Sequence, residues 1–337
     1  MPFLPYLHAV AERRNLGAAE ACEAMHAILA GDVSATQIAA FLVALRMKGE
    51  TVDELVGFAR AMRSMAVRID AGLDGEPLLD TCGTGGDGQS TFNISTIAAF
   101  VVAGAGVRVA MHGNRAASSH CGSADLLESL GIAVTLPPDE VGRAIREIGI
   151  GFLFAPALHT AMKHAHPVRV ELKMRTVFNL LGPLTNPAGA TVQLVGAPSA
   201  HAAELMAGAL AQLGLERGFV VHGSDGLDEV TTTGPTLAFE IRGGKVERRT
   251  LTPEDFGVER ADAATLKGAD KERNIAIARA VLGGTAGPQR DIVLVNASAA
   301  LVAAGRASDF REGIEIAGTS IDSGAAWKKV EELARFR

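Results

Sequence analysis

Three stretches of this 337-residue chain concentrate side chains able to do chemistry. The densest runs Asp80-Thr81-Cys82-Gly83-Thr84-Gly85-Gly86-Asp87-Gly88 and continues through Thr91, Asn93, Ile94, Ser95 and Thr96 into an apolar segment. Four glycines in six positions let a backbone approach a ligand closely and turn its N–H groups inward. Asn93, Ser95 and Thr96 fall at the start of a predicted helix, where free amides and the helix dipole favour anions. The spacing matches neither GxxxxGK[ST] nor a dinucleotide fingerprint. An oxyanion or phosphate cradle is the expected role, since a plain turn needs fewer glycines and no polar residues behind them.

The second stretch is Met111-His112-Gly113-Asn114-Arg115-Ala116-Ala117-Ser118-Ser119-His120-Cys121-Gly122-Ser123-Ala124-Asp125. It follows a short strand, at the edge where open α/β sheets bind ligands. Arg115 offers a planar cation, and Asn114, Ser118, Ser119 and Ser123 offer neutral donors. Ser123 and Asp125 also suit the cap of a helix over 126–130, the role preferred for Asp125. In the third stretch, Val221 to Val230, the adjacent Asp228 and Glu229 follow a strand and a glycine turn. Carboxylates so placed suit Mg²⁺, which takes one or two of them together with substrate phosphate oxygens.

The elements that must position these residues are legible in the hydrophobic spacing. Ala21, Met25, Ile28 and Leu29 form one stripe; Ile38, Phe41, Leu42 and Leu45 another; Leu55, Phe58 and Met62 a third. Ser34 with Gln37, and Thr51 with Glu54, read as capping boxes. Residues 1–70 are therefore expected to form a helical domain, and 71–337 an α/β domain. Strands are predicted at 78–80, 107–110, 133–136, 192–195 and 219–222, alternating with helices, which gives a mainly parallel sheet. A hairpin should turn at Gly243-Gly244, and a helix should span 292–304. The His- and Arg-rich stretch 155–185 reads as helices folding back onto the N-terminal domain.

Composition narrows the function. Aromatic residues make up only 4% of the chain, so its core rests on Ala, Val, Leu and Ile. A net charge of -6 argues against an electrostatic nucleic-acid binder. The apolar run 97–107 is too short to cross a bilayer. Cys22, Cys82 and Cys121 form no CxxC pair, which fits a reducing compartment and predicts a cytoplasmic protein.

Taken together, GTGGDG…TFNIST at 83–96, HGNR…SS…GSAD at 112–125, TVFNLLGPLTNPA at 176–188 and GLDEVTTTGPT at 226–236 closely resemble the anthranilate phosphoribosyltransferases. Those enzymes join anthranilate to phosphoribosyl pyrophosphate (PRPP). The resemblance covers nearly the whole chain. It implies a nucleoside phosphorylase/phosphoribosyltransferase type of fold, Mg²⁺ as cofactor and a homodimer formed through the helical domain. Gly83, Gly86, Asp87 and Thr91 would line the PRPP site, and Asn93, Ile94, Ser95 and Thr96 would bind its phosphates. Met111, His112, Gly113, Asn114, Arg115, Ala116, Ala117, Ser118, Ser119 and Ser123 would wrap the rest. Ser95, Asp228 and Glu229 would hold the metal. Gly83, Asn114 and Arg169 would contact anthranilate, the guanidinium of Arg169 gripping its carboxylate. His159, His164 and His166 read as helix-surface or pocket-lining residues rather than metal ligands.

The chain departs from the family pattern at two places in the second motif. Met111 stands where the family usually has lysine, and His120-Cys121 replaces the usual Lys-Ser. Both changes remove an ammonium from what reads as an anion-binding loop, so PRPP binding is expected to be weaker than in lysine-bearing relatives. A related transferase acting on another aromatic acid, a pyrimidine nucleoside phosphorylase and a nucleic-acid-binding relative are the competing readings. Intact GTGGD and DE motifs favour the transferase.

Overall fold

The computed structural model describes residues 3–73, 75–85, 88–116 and 121–336. Seven strands form one sheet in the order β3-β2-β1-β4-β5-β6-β7. They are β1 (Leu78–Gly83), β2 (Arg108–Gly113), β3 (Ile150–Phe154), β4 (Val192–Gly196), β5 (Arg217–Gly223), β6 (Thr236–Arg242) and β7 (Lys245–Leu251). The first five are parallel, and β6 and β7 add an antiparallel hairpin at one edge, turning at Gly243 and Gly244. From β1 the chain winds outward through β2 to β3, then returns to place β4 on the other side of β1. The junction of β1 and β4 is thus the topological switch point, where a crevice opens beyond the strand ends.

Two of the sheet expectations need correction. Residues 133–136 form no strand: Val134 is buried, but the segment runs unpaired into Pro137-Pro138, and Pro138 opens the helix Pro138–Glu147. The edge position is taken instead by β3, Ile-Gly-Phe-Leu-Phe, whose continuous apolar run merges in the sequence with the helix before it. Gly149, at φ +97, makes the reversal between them.

Both faces of the sheet are covered, as a parallel sheet requires. One carries the helix Ile94–Gly104, buried from Thr96 to Ala103, and beside it Pro288–Ala303 on β4 and β5, with Phe310–Asp322 and Ala325–Arg335 packed against these helices. The other packs on the helix Ala200–Gln212, and its core runs on into the N-terminal helices Ala18–Ala30, Ala35–Lys48 and Val52–Met65. Both predicted capping boxes are present, at Ser34/Gln37 and Thr51/Glu54. Glu54 does more than cap. Fully buried, it also accepts from the Leu16 N–H (2.9 Å) and pairs with the buried Lys48 (2.9 Å), tying three helix ends together. Within 155–185, Ala165, Val168, Val177, Phe178, Leu181 and Leu184 share the core of the N-terminal helices. Among the described residues, no helix is long and apolar enough to cross a membrane.

Candidate active site

The glycine-rich loop leaves β1 at the switch point and is bound to both neighbours there. Thr84 N–H donates to the Gly196 carbonyl at the end of β4 (3.0 Å), and Gly85 N–H donates to Asp228 Oδ2 (2.9 Å). Asp228 reaches this position because Gly83 and Gly196 have no side chains. A Cβ on Gly83 would stand 2.6 Å from Asp228 Oδ2, and one on Gly196 only 1.6 Å from the Asp228 carbonyl oxygen. Gly196 was not singled out from the sequence, where it is one glycine at the end of an apolar run. Gly86 and Asp87 lie outside the described residues.

Glu229, next in the chain, accepts from the Ser95 N–H (3.2 Å) at the N-terminus of Ile94–Gly104. The adjacent Asp228 and Glu229 therefore link the ends of β1 and β4 to the start of the helix at Ser95. A hydroxyl and two carboxylates make an all-oxygen donor set of the kind that holds Mg²⁺. The loop carrying the carboxylates is fixed from behind. Asn296 brackets Val230 with hydrogen bonds to its N–H and carbonyl (2.9 Å each), and Asp225 accepts from the hydroxyls of Thr231 and Thr233 (2.6 Å each).

The other predicted phosphate ligands are also tied into the protein around the helix start. The side chains of Ile94 and Thr96 are buried in the first turn of the helix. The Asn93 side chain donates to the Cys121 carbonyl (3.0 Å) and accepts from Asn274 (3.4 Å), binding two neighbouring segments together. Thr91 bridges Lys267, whose loop closes over the glycine-rich segment through Gly268 N–H to the Ser90 carbonyl (2.9 Å). Arg175, not anticipated, donates to the Gly85 carbonyl (3.0 Å).

The second motif holds its shape through Ser123 and Asp125. Ser123 Oγ accepts from Asn114 N–H and donates to the Asn114 carbonyl (3.1 Å each). Asp125 accepts from the N–H groups of Gly122 (2.9 Å) and Ala116 (3.1 Å), the capping role preferred for it; Ser123 joins the two sides of the turn instead. Arg115 is exposed and forks onto Glu128 (2.7 Å), with Asp125 at 3.2 Å, so its charge is engaged on the helix Ser123–Ser129. Ala117, Ser118, Ser119 and His120 lie outside the described residues. Met111 is not in the loop. It sits inside β2 at 1% exposure, within the core beneath Ile94–Gly104, which corrects its assignment as a PRPP-wrapping residue.

His112 and His159 form the centre of the other wall. Their rings lie 5.2 Å apart, both are buried, and each has an unpartnered Nε2. Burial, and for His112 the neighbouring ring, depresses their basicity, to about 3 for His112 and about 4 for His159. Both are neutral at physiological pH. His164 and His166 are exposed, and among the described residues no cluster of three His, Cys, Asp or Glu is set up to hold a metal. Arg169, on the helix His166–Leu172, lies over the Phe178 ring (5.3 Å), and burial lowers its pKa. It has no carboxylate partner among the described residues, so a half-buried guanidinium is left to meet an anionic ligand.

A mainly parallel sheet with a glycine-rich loop, a helix N-terminus and an acidic pair at its switch point fits a transferase acting on a phosphorylated sugar. The sequence agrees. Residues 75–327 match the α/β domain of the glycosyl transferase family, and residues 4–66 match that family's helical bundle domain. The chain is 70% identical to the anthranilate phosphoribosyltransferase of Solibacter usitatus, over all of this chain and 99% of that protein. The crystal structure of the Thermus thermophilus enzyme superposes with a TM-score of 0.92 at 47% identity, covering 98% of each chain. The Saccharomyces cerevisiae enzyme, in complex with PRPP and Mg, gives a TM-score of 0.89 at 30% identity, covering 98% of this chain and 96% of that one. The chain belongs to the anthranilate phosphoribosyltransferases of the glycosyl transferase family.

Proposed function

We propose that the chain transfers the phosphoribosyl group of PRPP to the amine of anthranilate, giving N-(5-phosphoribosyl)anthranilate and pyrophosphate in tryptophan biosynthesis. The observation that carries this reading is the convergence of Asp228 and Glu229 on the glycine-rich loop and the helix beginning at Ile94. A phosphorolytic enzyme has no need of carboxylates beside its phosphate loop, whereas a pyrophosphate leaving group does.

In the proposed site, the amides of the 83–91 loop and the N-terminus of Ile94–Gly104 hold PRPP, and Ser95, Asp228 and Glu229 hold Mg²⁺. The metal, when bound, neutralises the charge that grows on pyrophosphate as the ribose C1–O bond breaks. Arg169 and Asn114 orient the acceptor, whose carboxylate pairs with the guanidinium and whose amine lies toward C1. Neutral His112 and His159 line the acceptor side without adding positive charge near the oxocarbenium-like ribose. An aniline nitrogen is unprotonated at neutral pH, so attack needs no base.

The same reading extends to organisation. Residues 1–70, joined by the 155–185 helices, act as one domain against the α/β domain of 71–337. The chain pairs as a homodimer through the helical domain, supported by exposed Leu4 (47%), Met47 (69%) and Val170 (58%) on three of its helices. The three free cysteines fit a cytoplasmic enzyme.

The test is anthranilate fluorescence on adding PRPP and Mg²⁺, with EDTA as control. A Mg²⁺-dependent fall supports the reading. No fall from folded protein that binds PRPP points to another aromatic acceptor, and phosphate-dependent cleavage of a pyrimidine nucleoside would overturn it.

A further inference from the structure

The sheet is split at its centre, and two buried side chains fill the split. β1 pairs with β2 only at Leu78↔Arg108 and Leu79↔Val109. Beyond that point β1 keeps its pairing to β4 as far as Gly83, while β2 keeps its pairing to β3 as far as Gly113. The ladder between the two halves of the sheet therefore stops short of the edge that carries the site. A gap of this kind strands backbone polar groups in the interior unless side chains meet them.

Asp80 and Asn186 meet them here. Asp80, wholly buried in β1, accepts from the His112 N–H through Oδ1 (3.1 Å) and from Asn186 Nδ2 through Oδ2 (2.8 Å). Asn186, from the TVFNLLGPLTNPA stretch, also donates to the Ala110 carbonyl (2.9 Å) and accepts from the Ala188 N–H (2.9 Å). Every hydrogen-bonding group of the Asn186 amide is used, and only this orientation of it works. The flipped amide would set its oxygen against a carbonyl and a carboxylate. Nor would an asparagine replace Asp80, because its NH₂ would face either the His112 N–H or the Asn186 NH₂. Gln193 in β4 holds the same connecting segment at the Pro183 carbonyl (2.8 Å).

We propose that Asp80 and Asn186 form a polar wedge that holds β1 and β2 apart, fixing the distance between the phosphate loop after β1 and the acceptor wall of His112, Gly113 and Asn114 after β2. They are positioning residues: neither touches substrate, and each acts through the strand it holds. The inference rests on the proposed reading, in which the loop after β1 anchors the PRPP phosphates and the wall after β2 completes the grip on PRPP and meets the acceptor. It separates two consequences that a purely structural role would not. The glycine-rich loop, Ser95 and the acidic pair all stand on the β1 side of the wedge, so most of the PRPP anchoring should survive its loss, while contacts made from β2 slip and transfer fails.

The experiment compares Asn186→Ala, Asn186→Asp, Asp80→Asn and the exchanged pair Asp80→Asn/Asn186→Asp with the wild type. It reads PRPP dissociation constant, kcat, KM for anthranilate and melting temperature. The wedge predicts PRPP binding weakened by no more than about tenfold and kcat/KM for anthranilate lower by about 100-fold, the cost of misplacing reacting groups by about an ångström. The exchanged pair should recover about tenfold over Asn186→Asp, because it restores a donor–acceptor match between the two side chains. Folded variants with unchanged kcat/KM, or a loss of PRPP affinity as large as the loss of transfer, would overturn the proposal. Amide hydrogen exchange on the wild type tests it independently of whether any variant folds. The His112 amide should exchange as slowly as the paired amides of β2, and rapid exchange would contradict the wedge. The wild-type assay run alongside separates failure of the wedge from failure of the proposed reaction.

Discussion

In the proposed reading, acceptor recognition turns on Arg169. Its guanidinium lies on the Phe178 ring and is half-buried, where a charge-assisted bond to a carboxylate is stronger than it would be in water. Arg169→Ala should raise KM for anthranilate by about 10–100-fold, from a loss of about 1.5–3 kcal/mol, and leave PRPP affinity unchanged. Equal losses for both substrates would show that the residue supports the fold rather than the acceptor. The buried histidines give a pH signature. Their folded-state pKa values of about 3 and about 4 lie below the ordinary 6.5, so below pH 6.5 the unfolded chain takes up protons that the fold refuses. Their contribution to stability is therefore present above pH 6.5 and is lost as pH falls towards 4, by about 1.4 kcal/mol per pH unit for each ring. Asp80 opposes this. Burial lifts its carboxyl to about 6, so its contribution falls as pH rises from about 4 to 6. Imidazole NMR signals should show neither His112 nor His159 titrating above pH 5; a midpoint near 6.5 would contradict their burial as neutral bases.

Among the elements, the close approach of Asp228 to β1 and β4 matters most. Gly196→Ala puts a methyl group where the Asp228 carbonyl lies, so the carboxylate loop must move by an ångström or more. The expected loss is about 100-fold in kcat/KM with the sheet intact by circular dichroism; wild-type activity would show that the loop needs no such approach. This scale also marks where the sequence is readable. Capping boxes at Ser34 and Thr51, the Ile94 helix and the β6–β7 hairpin follow from local chemistry and were legible. The third strand was not, because Ile150–Phe154 is a short apolar run fused to a helical pattern, while 133–136 has a strand's composition and no partner. Among the motif residues, Asp228 lies on the glycine-rich loop and Glu229 on the helix start at Ser95. Gly196, Arg175, Asn186 and Asn296 were silent, because each acts through a contact with a segment distant in the chain. Met111 misled for the converse reason: a motif position reads as a loop ligand until strand alternation turns its side chain into the core.

For the whole molecule, the helical module and the sheet share one continuous core, so the acceptor-side residues 155–185 stand on the helices rather than on the sheet alone. Met47 and Val170 are exposed on two helices that pack together, Ala35–Lys48 and His166–Leu172, and the proposed dimer would cover them. Sedimentation should give twice the chain mass, and Met47→Glu/Val170→Glu should shift it to one; a monomeric wild type would remove the dimer from the account.

The central claim is group transfer from PRPP to anthranilate, and stoichiometry tests it most directly. Pyrophosphate released and anthranilate consumed should be measured in one Mg²⁺-containing reaction, with an anthranilate-free control. The account predicts one-to-one appearance and loss, abolished by EDTA and by Asp228→Asn/Glu229→Gln. Pyrophosphate release independent of anthranilate, or anthranilate left untouched while PRPP is consumed, would contradict it.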